Sequence, residues 1–143
     1  MKLTIRTPIP LPVERIKAGF NRELFLALLP ASAELLRFDG CERGGEVHLK
    51  LSPLGPLWVS VITEEGTTPR GWSFVDEGRK LPFPLHRWHH HHRVDRVDES
   101  HSTIVDDISF DCDPKFLTSA VKPLLWASFR GRPGVYKKFF LGK

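Results

Sequence analysis

At 143 residues, 41% hydrophobic and 27% charged, the chain has an ordinary globular make-up and the length of one domain, residues 1–143. Its formal charge of +4, from 21 basic and 17 acidic side chains, with no recognition motif, argues against nucleic acid, and no stretch approaches the roughly 18 apolar residues of a membrane-spanning helix. Cys41 and Cys112 fit no CxxC or metal-type spacing and read as free thiols; with no apolar signal core at the start, the expected location is cytoplasmic.

Leu3 and Ile5 alternate with Lys2, Thr4 and Arg6, which predicts an opening strand ended by Pro8, Pro10 and Pro12. Val13, Ile16, Phe20, Leu24 and Leu28 recur at helical spacing, with Gly19 and Asn21 placed to divide the segment into two helices before Pro30. Leu35, Leu36 and Phe38 anchor a short helix or loop ahead of Gly44-Gly45. From Glu46 the period becomes strand-like: Val47, Leu49 and Leu51 alternate, Pro53 to Pro56 turns, and Leu57 to Thr63 is a continuous apolar run expected to be buried on both faces. Gly66 is read as a hairpin turn. Trp72 and Phe74 then share a face, and the polar Asp76 to Lys80 segment leads into a long strand from about Leu85 to Val97. Asp98-Glu99-Ser100 turns the chain back into a partner strand, Thr103 to Phe110. Asp113-Pro114 is the expected cap of a long C-terminal helix. Phe116, Leu117, Ala120, Val121, Leu124, Leu125 and Ser128 form its stripe, with a kink at Pro123. Arg130 to Gly134 ends it, and Val135 to Leu141 is left as an aromatic tail. The basic residues gathered here, Lys122, Arg130, Arg132, Lys137, Lys138 and Lys143, read as a solvated face.

The order of elements, a strand, a helical segment, mostly antiparallel strands and a long helix, is an α+β layer arrangement. Within it, Trp88-His89-His90-His91-His92-Arg93-Val94 carries the chemistry. On a strand, Trp88, His90, His92 and Val94 share one face while His89, His91 and Arg93 share the other. The run is therefore two pairs, one of them among apolar neighbours.

With Phe74-Val75-Asp76-Glu77, Phe83-Pro84, Trp88-x-His90-x-His92, and Thr103 followed by Asp107, the chain resembles the START-like (SRPBCC) superfamily, nearest its bacterial ligand-binding members related to the polyketide cyclase/dehydrase group. It departs from them between Asp76 and Trp88, where Leu81-Pro82-Phe83-Pro84 stands in place of a compact Gly-Pro-Phe. The resemblance implies a helix-grip fold, a curved antiparallel sheet wrapped around a long C-terminal helix, with an apolar cavity between the two.

Three readings of His90 and His92 compete: histidines satisfied within a core, two metal ligands completed by an aspartate, and the few polar groups that orient a ligand in an apolar cavity. No cysteine or HExxH helix supports a metal, so neither a metal nor another cofactor is expected. Face parity makes Asp106 the inward aspartate, and family spacing favours Asp107; a bulge would reconcile them. The expected function is binding of a small hydrophobic molecule, without assigned catalysis, by Trp72, Phe74, Trp88, His90, His92, Asp106 or Asp107, and Trp126. The alternative is a cyclase- or dehydratase-type enzyme using His90 or His92 with an aspartate as acid and base.

Overall fold

The computed structural model describes residues 1–51 and 55–142. Among these, seven strands form one curved antiparallel sheet in the order β1-β7-β6-β5-β4-β3-β2. The strands are β1 (Lys2–Ile9), β2 (Glu34–Phe38), β3 (Glu46–Lys50), β4 (Leu57–Thr68), β5 (Gly71–Lys80), β6 (Leu85–Arg96) and β7 (Ser102–Cys112). Two short helices, α1 (Val13–Gly19) and α2 (Arg22–Leu28), carry the chain from one sheet edge to the other. After β7 a 3-10 turn (Lys115–Leu117) leads into α3 (Thr118–Phe129) and α4 (Arg132–Leu141). The expected α+β arrangement is present, and no described helix is long and apolar enough to cross a membrane.

Local chemistry explains most boundaries. β1 runs past Pro8 to Ile9 because it is an edge strand, where a missing N–H costs no ladder bond on the open side. Its inward residues Leu3, Ile5, Thr7 and Ile9 are buried in strict alternation. The helical segment does divide at Asn21, whose side chain accepts the Leu24 N–H and caps α2. Leu35, Leu36 and Phe38 form an edge strand, not the expected helix or loop, and only Leu35 of the three is fully buried.

β4 corrects two expectations. Its apolar run buries Ser60 and Ile62 fully while Leu57, Val59 and Val61 stay part-exposed, so the strand has one covered face. Gly66 lies inside β4, paired with Ser73; the hairpin turns at Pro69-Arg70, and the polar Asp76–Lys80 segment belongs to β5. The turn expected over Pro53–Pro56 includes residues 53 and 54, outside the described range. The Asp98 turn is as expected, with its side chain accepting the Ser100 N–H.

The C-terminal helix is in two pieces. Asp113 caps neither the 3-10 turn nor α3; instead the Thr118 hydroxyl accepts the Cys112 N–H. Pro123 sits within α3. The inward ladder of this region is Leu117, Val121, Leu125 and Phe129, at i, i+4 spacing, whereas Phe116, Ala120, Leu124 and Ser128 of the predicted stripe are exposed. The aromatic tail is α4, with Pro133 in its first turn and Tyr136 fully buried.

Two apolar clusters fill the concave side. One gathers Ile9, Val13, Ile16, Phe20, Leu24, Trp72, Phe74, Val94, Ile104 and Tyr136; the other gathers Leu3, Trp88, Ile108 and Phe110, covered by Val121, Leu125 and Phe129 of α3.

Candidate functional site

Between the two clusters, the inward face of five adjacent strands turns polar. Thr7 on β1, Asp106 on β7, His90 and His92 on β6, Asp76 on β5 and Ser60 on β4 are all buried. Register places them side by side: His92 is opposite Asp106, and His90 is opposite Asp76. Such a belt is costly to bury unless its groups satisfy one another, since an unpaired buried polar atom costs about 1–3 kcal/mol.

One half of the belt is satisfied. Asp106, with a fully buried side chain, accepts hydrogen bonds from His90 Nε2 at 2.9 Å, Arg132 Nη1 at 2.8 Å, and the Tyr136 hydroxyl at 3.0 Å. A carboxylate only accepts, so His90 carries its proton on Nε2 and keeps the Nδ1 lone pair. Burial alone would raise the Asp106 pKa. The Arg132 charge and the His90 bond outweigh burial and hold this carboxyl below the usual range. Because Arg132 already balances Asp106, His90 gains little from protonation: burial, then the neighbouring His92, push its pKa down to about 3. Burial also drives the Tyr136 phenol far above its ordinary value.

The other half is not satisfied. Asp76 Oδ1 and both ring nitrogens of His92 are buried without a hydrogen-bond partner among the described residues. The closest approach of His92 Nε2 to Asp76 is 3.9 Å, too long for a hydrogen bond. The His92 ring is held instead by stacking, with Phe74 on one side at 4.2 Å and His90 at 3.5 Å between ring centroids.

These groups face a cavity of about 230 Å³. Its walls are apolar: Phe25, Leu28, Leu29 and Pro30 from the end of α2, Val47 and Leu49 from β3, Trp58, Trp88, and Leu125 and Phe129 from α3. Ser60, Asp76, His90, His92 and Arg132 supply polar groups at its base, and Ser128 another on α3. Of the residues expected at the site, Trp88, His90 and His92 line the cavity. Asp106 stands behind His90 and holds it. Asp107 points to the opposite face, where it accepts from Thr4 and pairs with Arg93, and no bulge occurs at this point of the β6–β7 pairing. Parity, not family spacing, therefore decides between the two aspartates. Trp72 and Phe74 belong to the first apolar cluster, and Trp126 is 46% exposed outside the cavity. His89 and His91 lie on the outer face, His89 beside Glu77 at 3.3 Å.

Sequence reasoning missed Asp76, Ser60, Arg132 and Tyr136 as site residues. Arg132, read as part of a solvated basic face, is part-buried and ion-paired with the fully buried Asp106 at 2.8 Å. The available signal was Pro133, which fits a helix start as well as a helix end and places Arg132 and Tyr136 one turn apart on one face. Both thiols are free; burial, then Asp76 and Glu65, push the Cys41 thiol up to about 12.

The same architecture occurs in solved structures. Norcoclaurine synthase from Thalictrum flavum, in complex with dopamine and hydroxybenzaldehyde, superposes with a TM-score of 0.72 over 99% of this chain and 87% of that one, at 10% identity. The Zhui aromatase/cyclase from a Streptomyces species gives 0.61 over 96% and 94%, at 11% identity. A Thermobifida fusca protein gives 0.65 over 96% and 94%, at 19% identity. The chain has the START-like, helix-grip fold. No family model matches its sequence, and no curated protein matches it. At these identities the START-like likeness is one of fold, and the chemistry has to be argued from the cavity itself.

Proposed function

We propose that this START-like chain binds a small, largely apolar molecule with one or two polar groups, held between the sheet and the C-terminal helices. The observation that carries the reading is the cavity's polarity: apolar walls around a base formed by His90, His92, Asp76, Ser60 and Arg132. Ligand pockets typically pair apolar lining with a few placed polar groups. A volume of about 230 Å³ is below the drug-sized range of roughly 300–1,000 Å³ and above the roughly 150 Å³ that admits benzene. A single ring or a short acyl chain fits it. Support also comes from fold relatives, one of which holds dopamine and hydroxybenzaldehyde and another of which is an aromatase/cyclase.

The His90–Asp106 pair favours a second reading, acid–base catalysis of the cyclase or dehydratase type. Its weakness is the His90 pKa of about 3, far from the near-neutral value a general acid or base needs. A neutral imidazole that orients a ligand fits the geometry better.

The test is a native mass spectrum of freshly purified protein against its denatured mass, followed by titration with hydroxybenzaldehyde as a single-ring probe. A retained organic adduct, or one-to-one probe binding that weakens in His90→Gln/His92→Gln, is the expected result. Probe binding unchanged in that double variant, together with lost turnover of a cyclisable substrate, supports catalysis instead.

A further inference from the structure

The part of the belt that the hydrogen-bond network leaves unsatisfied is also the part that converges. One ligand atom from each of Asp76, His90 and His92 lies within 4.8 Å of the other two, and all three residues are buried. We propose that Asp76, His90 and His92 bind one divalent transition-metal ion of the zinc class at the base of the cavity, with its remaining position open to the bound molecule.

Four observations carry this. His90 and His92 alternate on β6 and Asp76 is opposite His90 on β5, so the sheet itself sets the spacing. Tetrahedral bonds of 2.0–2.1 Å place ligand atoms about 3.3 Å apart, so binding draws the Asp76 carboxylate and the His92 ring towards His90 and opens the His90–His92 stack. Asp76 Oδ1 and both His92 nitrogens are buried and without partners, and coordination satisfies the carboxylate and one of the two nitrogens, which nothing else among the described residues does. His90 donates its Nε2–H in a hydrogen bond to the Asp106 carboxylate, itself fixed by Arg132 and Tyr136. That is the outer-shell arrangement that orients a metal-ligating imidazole and leaves its other nitrogen free to coordinate. Charge also fits, because Asp106 and Arg132 cancel, Asp76 contributes one negative charge, and a divalent ion leaves one positive charge to attract an anionic oxygen of the bound molecule. Two imidazoles and one carboxylate suit zinc, iron or cobalt, and not magnesium or calcium, which take oxygen-rich shells. The ligand's role rests on the cavity reading, but the ion requires only the three side chains.

The outer-face histidines His89 and His91 provide the control. Chelator-stripped protein is titrated with Co²⁺, and the visible band is followed in the wild type, in His89→Gln/His91→Gln and in Asp76→Asn. One equivalent giving an intense band in both the wild type and the outer-face variant, displaced by Zn²⁺ and weakened at least about 100-fold in Asp76→Asn, is expected. No band at one equivalent, or a band lost with His89 and His91, overturns the site. So does a folded Asp76→Asn protein that binds as tightly as the wild type. The first two proteins decide the question even where Asp76→Asn fails to fold. Hydroxybenzaldehyde binding in excess EDTA reads the cavity separately: binding there without a cobalt band removes the metal and leaves the pocket.

Discussion

Asp106 accepts from three side chains drawn from a strand and a helix, so its burial is tied to the docking of α4. Removing one member of such a buried pair costs more than the pair contributes, because the remaining charge loses its compensation. Arg132→Ala is expected to cost about 3–5 kcal/mol in denaturant unfolding. His90 titrates at about 3 in the folded chain and at about 6.5 when unfolded. Between these values the unfolded chain takes up a proton that the folded chain refuses, so this stabilisation is complete above about pH 6.5 and falls as pH drops towards 3. Asp106, with its depressed carboxyl, adds a loss of the same sign below the ordinary carboxylate range. In EDTA, the unfolding midpoint should therefore decline from pH 7 to pH 4, and His90→Gln should flatten that decline; an equal slope in the variant contradicts the assignment. At this scale the alternation of Trp88, His90 and His92 was readable because period two is a property of the strand. Asp76 was not, since its place opposite His90 depends on β5–β6 register, which no local pattern encodes.

The elements differ in how openly their sequences declare them. α1 and α2 were legible from helical spacing and from the break at Gly19 and Asn21; that Asn21 caps α2 was not. The hairpin after β4 was not, because Gly66 sits in open space within a strand while the glycine the turn requires is Gly71. At φ +147°, a Cβ on Gly71 would lie 1.9 Å from the Val94 carbonyl oxygen. The α3 stripe was legible as apolar but too broad: seven residues fit a helical face, and packing against the Leu3, Trp88, Ile108 and Phe110 cluster selects the Val121 and Leu125 side and adds Phe129, which the stripe had left out. Phe129 approaches Trp88 and His90 with ring centroids 5.9 and 5.8 Å away and carries Arg132 over its face at 4.5 Å. Phe129→Ala should cost about 2 kcal/mol or more, and Leu124→Ala, at a residue 68% exposed, under about 0.5 kcal/mol. Comparable losses from the two would place the wrong face of α3 against the sheet.

Across the whole molecule, the two apolar clusters are joined by a band of buried polar groups that no other part of the described sheet repeats. A chain selected only for stability has little use for that band, because apolar residues of similar volume at such positions are commonly neutral or stabilising. The fold was legible in its order of elements and its Trp-x-His-x-His strand. The site was legible only in part, because Ser60, Asp76, Arg132 and Tyr136 arrive from β4, β5 and α4, placed by strand register and helix docking that no local pattern encodes. Ser128 stands on the exposed side of α3 and still borders the cavity, so Ser128→Trp offers a way to fill the space without disturbing either cluster. The decisive measurement is the affinity of hydroxybenzaldehyde for the wild type and for Ser128→Trp at matched thermal stability. Binding to the wild type that falls at least about tenfold in the filled variant is the predicted result; equal binding by both, or binding by neither, contradicts a ligand site in this cavity.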